Sequence, residues 1–209
     1  MRSSRPARLA FLTLAACAAL AGGAEAQNMT GRSGHSTATE SQNMQAFTEL
    51  SAFGRCFVRA NRAGALSLIA TAPGSAEEHA LFDRLVSRRE ETCLGAGTNT
   101  AGSLIYWRGV IAEALLESNV PLPAELRLPA PALAEVRDLG GVARCYAAGH
   151  NAEVRALLET RPGSRQELAA ATALWPEFRQ CLPPSANIRL NAQWIRYLLA
   201  EALLRLPPA

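Results

Sequence analysis

Apolar residues recur at spacings of three and four along most of this chain, and the stripes they form come in pairs. Phe47, Leu50, Phe53, Gly54 and Phe57 mark a first helix, expected over 44–60, and Val136, Leu139, Val142, Ala143 and Tyr146 repeat its pattern. Leu66, Leu68 and Ile69 mark a short second helix at 63–71, matched by Val154, Leu157 and Leu158 at 152–160, for which Asn151 is the expected N-cap. Pro73-Gly74 and Pro162-Gly163 stop these helices, since proline lacks an amide hydrogen and glycine tolerates positive φ. Ser75 with Glu78, and Ser164 with Glu167, then fit the capping box that opens a third helix: the hydroxyl accepts from an amide three residues on, and the carboxylate reaches back to the cap amide. That helix is expected to run through Leu81, Phe82 and Leu85 towards Cys93, and its counterpart through Leu174 towards Cys181, with Pro176 kinking or dividing it. After loops at 95–98 and 183–186, Asn99 and Asn187 are the expected caps of a fourth helix over 100–117 and 188–204. Its stripes are Leu104, Trp107, Ile111 and Leu115, and Leu190, Trp194, Leu198 and Leu203.

The pairing extends to identity. Residues 55–85 align with 144–174 at an offset of 89 with 11 identities in 31, and 93–117 align with 181–205 at an offset of 88 with nine in 25. Arg55/Arg144, Cys56/Cys145, Cys93/Cys181, Arg108/Arg196 and Glu113/Glu201 are among them. Such a period is longer than the 20–50 residues of solenoid repeats. The expected architecture is all-α: two tandem four-helix units related by internal duplication, at 44–117 and 132–209. A stiff linker at 118–131, carrying Pro121, Pro123, Pro129 and Pro131, joins them, and Leu122, Leu126 and Leu128 are expected to pack back on the bundle.

The chain opens differently. Arg2, Arg5 and Arg8 precede an apolar run from Leu9 to Ala21, and Ala24-Glu25-Ala26 is a small-x-small cleavage signal. This pattern predicts a secretory signal peptide over 1–26, too short to span a membrane. Leu14-Ala15-Ala16-Cys17 also matches a lipobox, which would place a lipid anchor on Cys17, but residues 18–21 stay apolar where a lipoprotein tether turns polar. The polar stretch 27–43, which includes His35, reads as a disordered leader.

Export changes what charge and cysteine imply. Losing Arg2, Arg5, Arg8 and Glu25 leaves 18 basic and 17 acidic residues, so no field for nucleic acid remains. All 21 basic residues of the whole chain are arginine. Four cysteines in an oxidising compartment favour disulfides, and the matching halves favour Cys56–Cys93 with Cys145–Cys181 over the other pairings. A metal site lacks the Cys-x-x-Cys spacing it would need, and the same absence argues against a thioredoxin-type redox centre and covalent haem. No cofactor is expected.

The remaining matched polar residues are the candidate chemistry. Arg108 and Glu113 stand five apart on one helix, as do Arg196 and Glu201, about 140° around the axis, so each is expected to reach another helix. The expected structural pairs are Arg55–Glu113 and Arg144–Glu201. The catalytic alternative uses Glu113 and Glu201 as the acid/base couple of a small envelope hydrolase. His79 and His150 do not match between halves, the only aspartates are Asp83 and Asp138, and neither a His-Glu-x-x-His zinc motif nor a Gly-x-Ser-x-Gly elbow is present.

The repeated Arg-Cys, Pro-Gly-Ser, Cys-Leu and Arg-x-x-x-Ala-Glu-Ala-Leu-Leu pattern, carried by Arg55, Cys56, Pro73 to Ser75, Cys93, Arg108 and Ala112 to Leu116, resembles a class of small exported helical proteins of Gram-negative bacteria. The resemblance implies an exported helical protein and brings no activity with it. The expected function is therefore a periplasmic or envelope interaction or structural module, with a protein or envelope partner and no membrane span.

Overall fold

Local chemistry sets most of the helix ends in the computed structural model, which describes residues 37–86, 93, 104–119, 121–184 and 186–208. The expected signal peptide over 1–26, Cys17, His35 and Asn99 lie outside these residues. Among the described residues the regular structure is helical. The first half carries α1 (Thr37–Ala60), α2 (Arg62–Ala70), α3 (Ala76–Val86) and α4 (Leu104–Glu117). The second carries α5 (Leu139–Gly149), α6 (Asn151–Glu159), α7 (Arg165–Phe178) and α8 (Ala192–Arg205). Short 3-10 turns occupy 124–126, 133–135 and 179–181.

Several boundaries differ from expectation. Helix α1 begins at Thr37 rather than Met44, so 37–43 are helical and not part of a disordered leader. Its counterpart α5 starts only at Leu139, because the Asp138 carboxylate accepts from the Gly141 amide at 2.6 Å and caps the helix there. Val136 is buried, but ahead of the helix rather than on it. Position 49 in the first half is Glu, a better helix interior residue, and α1 runs through it. Asn61 caps α2 by accepting from the Gly64 amide at 3.1 Å. Its counterpart is His150, so Asn151 is not the cap but the first residue of α6, accepting instead from Arg155 Nε at 2.8 Å. Pro176 falls inside α7, which gives way two residues later to the 3-10 turn at 179–181. The cap of α8 is Asn191, not Asn187. Its Oδ1 accepts from the Trp194 amide at 2.8 Å, whereas Asn187 is exposed four residues ahead of that cap, outside the helix. Ile195 and Leu199 are buried in the core, while Trp194 and Leu198 are only partly buried.

Each half has its own apolar cluster. Phe53, Phe57, Trp107, Ile111 and Leu115 centre the first, and Tyr146, Leu157, Phe178, Ile195 and Leu199 the second. A fully buried aromatic or leucine side chain contributes roughly 1.5–3 kcal/mol. The clusters meet through two leucines: Leu204 of α8 belongs to the first, and Leu116 of α4 packs on both. This follows from how α4 and α8 meet, the most extensive helix–helix contact among the described residues. At their crossing a Cβ on Gly109 would stand 2.1 Å from the Tyr197 Cβ, so only glycine admits the approach. A Cβ on Gly54 would likewise meet the Val110 carbonyl oxygen at 2.5 Å, which seats α1 on α4.

Disulfides Cys56–Cys93 and Cys145–Cys181 close loops of 37 and 36 residues, one in each half. The chain-entropy account assigns each about 4 kcal/mol. In the linker Leu122 is buried against the first cluster, with Leu126 beside it, and the Leu128 amide donates to the Arg205 carbonyl at 2.7 Å. No helix among the described residues is long and apolar enough to cross a membrane.

Candidate functional site

The matched arginines and glutamates meet across the middle of the molecule, but not in the expected pairs. Arg108 of α4 donates through Nε and Nη2 to both oxygens of Glu201 on α8, at 2.6 and 2.7 Å. Arg196 of α8 donates through Nε and Nη2 to both oxygens of Glu113 on α4, at 3.1 and 2.5 Å. The five-residue offset explains this reciprocity. An arginine and a glutamate on opposite sides of one helix cannot meet each other, but two such helices laid across one another present each arginine to the other's carboxylate.

The pairs Arg55–Glu113 and Arg144–Glu201 are therefore corrected. Arg55 is exposed and stands 3.6 Å from Glu117 on the surface. Arg144 has a buried Nε with no hydrogen-bond acceptor. Burial lowers its pKa, Asp138 opposes that, and the nearby Arg205 adds to it. The position matching Glu117 in the second half is Arg205, so Arg144 meets a cation where Arg55 meets a carboxylate. First-helix arginines thus lose the competition for the buried carboxylates to those of the facing helix.

Each central arginine also serves its own half. Arg108 Nη1 donates to the Leu68 carbonyl at 2.8 Å and to Thr71 Oγ1 at 3.2 Å, and Nη2 to the carbonyls of Ile69 at 2.8 Å and Thr71 at 3.0 Å. These carbonyls lie at the C-terminal end of α2, where the helix dipole favours a cation, and that of Leu68 also accepts from the Thr71 amide. Arg196 treats α6 alike, reaching the Leu157, Thr160 and Leu158 carbonyls at 3.0, 3.1 and 2.6 Å.

The capping glutamates belong to this buried array as well. The Glu78 and Glu167 amides donate to Ser75 and Ser164 Oγ at 3.1 and 3.2 Å, as the capping box predicts. Their carboxylates, however, reach one residue further back than the cap amide, to the Gly74 and Gly163 amides at 2.5 and 2.7 Å. Those glycines have φ of 74° and 75°, which swings the amide inward. Glu78 turns its other oxygen on Arg108 Nη1 at 2.9 Å. Glu167 is held more loosely: its Oε1 is 3.5 Å from Arg196 Nη1 and has no hydrogen-bond partner, while its Oε2 also accepts from Gln193. Sequence reasoning placed these residues at helix ends, correctly, and missed that they are 1% and 0% exposed members of the central network.

Electrostatics follow the geometry. Burial works against the charge on Arg108 and on Arg196, but Glu201 with Glu78, and Glu113 with Glu167, outweigh it and both pKa values rise. Burial pushes Glu201 up, yet Arg108 and then Arg205 hold its carboxyl below the usual range. Burial prevails at Glu167, whose carboxyl stands above the usual range despite Gly163, Arg196 and Gln193.

Aromatic residues close the array at one end. Tyr106 Oη accepts from Trp194 Nε1 at 2.9 Å and from Asn191 Nδ2 at 3.2 Å, and the Tyr106 ring lies edge-on to Tyr197. Elsewhere His79 is exposed, and His150 stacks on Tyr146 with Nε2 3.3 Å from Glu177. Among the described residues no group of His, Cys, Asp and Glu could hold a metal ion. A cleft of about 600 Å³ opens beside Glu113, bordered by Arg55, Leu116, Glu117, Leu158 and Arg161. A second of about 760 Å³ is lined largely by leucine and proline, among them Leu122, Leu206 and Pro207. No family model, curated protein or solved structure matches the chain.

Proposed function

We propose that this protein is an exported interaction or structural module of the periplasm or envelope, built by duplication of a cross-linked helical unit, and that its crossed polar pairs hold it together instead of turning over a substrate. The observation that carries this is the occupation of both candidate acid/base carboxylates. Each has both oxygens bound by an arginine from the opposite half. A general acid needs a carboxyl that keeps its proton near neutral pH, and Glu201 is held the other way by Arg108. Two disulfides fit an oxidising compartment, which supports export. The cleavable leader and the alternative lipid anchor at Cys17 stand as readings of 1–26 alone.

The test has two arms. Fractionation with intact-mass measurement of the native protein is expected to place it outside the cytoplasm, beginning at Gln27. Screens against glycoside, ester and peptide substrates are expected to show no turnover. An activity that disappears in Glu113→Gln or Glu201→Gln while the protein stays folded would overturn the proposal.

A further inference from the structure

Where α4 crosses α8, two residues meet their own counterparts. At an offset of 88, Tyr106 matches Trp194 and Gly109 matches Tyr197. In the fold Tyr106 touches Trp194, and Gly109 backs onto Tyr197. Exchanging the halves would leave these two places where they are and carry Arg108–Glu201 onto Arg196–Glu113. The charged pairs therefore do not tell one half from the other: a half laid on a copy of itself would offer each arginine a matched glutamate. The two self-facing places do. At the first, Trp194 Nε1 donates to Tyr106 Oη at 2.9 Å, and two tryptophans there would face each other with donors only. At the second, a Cβ on Gly109 would stand 2.1 Å from the Tyr197 Cβ, 2.4 Å from its Cγ and 2.7 Å from its Cδ1. Two tyrosines cannot share that spacing. Two glycines would leave empty the space that Tyr197, 1% exposed, now fills.

We propose that Gly109 and Tyr197 are a hole and a knob that set which half pairs with which, with Tyr106 and Trp194 beside them acting in the same sense. The surface of the second half excludes a copy of itself, and that of the first gains a buried ring only from the second. A second molecule of this chain is accepted through its unlike half alone. The unlike half of the same molecule is already held at about millimolar effective concentration by the linker, so the chain closes on itself while like halves of neighbouring molecules stay apart.

The test exchanges knob and hole in the full oxidised chain. Gly109→Tyr, with two knobs, and Tyr197→Gly, with two holes, are each expected to lower the melting midpoint by at least about 5 °C. G109Y/Y197G has one of each again and is expected to melt above the two-knob chain, where independent effects would put it below. Unfolded together in urea at one to one and refolded, the two-knob and two-hole chains are expected to sediment as a dimer of one of each, which neither forms alone, because every knob then finds a hole on the other chain. A double variant that melts at or below the two-knob chain overturns the proposal, since Tyr197 would then only fill space in the first half. So does a mixture that sediments as the sum of its separate chains. A two-knob chain that fails to fold alone changes neither outcome.

Discussion

Replacing Glu201 by glutamine tests whether the crossed arginine–carboxylate pairs hold the halves together. The carboxylate accepts three hydrogen bonds, two from Arg108 and one from Arg205 at 3.0 Å. Glutamine has one acceptor oxygen, and its amide nitrogen would point donors at guanidinium donors. Removing one member of a buried pair costs roughly 3–5 kcal/mol. Glu201 is not fully closed off, with a side chain 16% exposed, and Arg108 keeps Glu78, so the lower end applies: about 3 kcal/mol at pH 7. That is a large share of the 5–15 kcal/mol typical of a domain. The pH dependence has a definite sign. A carboxyl held low in the folded state contributes stability above its unfolded pKa and loses it as pH falls through the folded value. The gap between wild type and Glu201→Gln should therefore be full at neutral pH and shrink in acid. Urea unfolding of the oxidised proteins, followed by far-ultraviolet circular dichroism from pH 7 to pH 3, measures it. A difference under about 0.5 kcal/mol at pH 7, the size of an ordinary surface substitution, or one that does not change on acidification, would refute the reasoning.

Further outcomes follow from the same structure. Gly109→Ala places a methyl group inside the α4–α8 crossing and is expected to cost about 3 kcal/mol in urea unfolding, at the upper end for overpacking. Glu78→Gln is expected to cost more than Glu167→Gln, by about 1–2 kcal/mol at pH 7, because Glu78 bonds Arg108 directly while Glu167 leaves one oxygen unpaired. The Glu167 carboxyl is raised in the folded state, so its contribution is greatest in acid and is lost as pH rises through the folded value. Glu167→Gln should therefore compare worst with wild type at low pH. Replacing Cys56 and Cys93 together by serine is expected to lower stability by about 4 kcal/mol, and non-reducing peptide mapping of the parent should recover only the within-half pairs.

The helices and the cysteine pairing were legible because their causes are local or repeated. Serine caps at 75 and 164 act over three residues, and two matched cysteines per half leave one economical pairing. The boundaries went astray where two capping residues competed within a few positions, as with Asn187 against Asn191, or where one aspartate ended a stripe early, as at Asp138. The polar network was half legible. The angle between Arg108 and Glu113 showed that they serve different helices. It did not show which, because the partner depends on how α4 crosses α8, and that is decided by the void at Gly109 into which Tyr197 fits. Nothing in a linear pattern distinguishes that glycine from any other in a helix.

The crossed pairs also bear on synthesis. A ribosome releases Arg108 while Glu201 is still 93 residues from being made, and Glu113 waits 83 residues for Arg196. Until the last helix is available, Arg108 has Glu78 and the α2 carbonyls of its own half but not Glu201, and Glu113 lacks the arginine that binds both its oxygens. The last 14 residues, from Arg196 on, therefore carry both second-half members of the crossed pairs, Arg196 and Glu201. Losing that short tail to a nonsense codon would undo both portions at once.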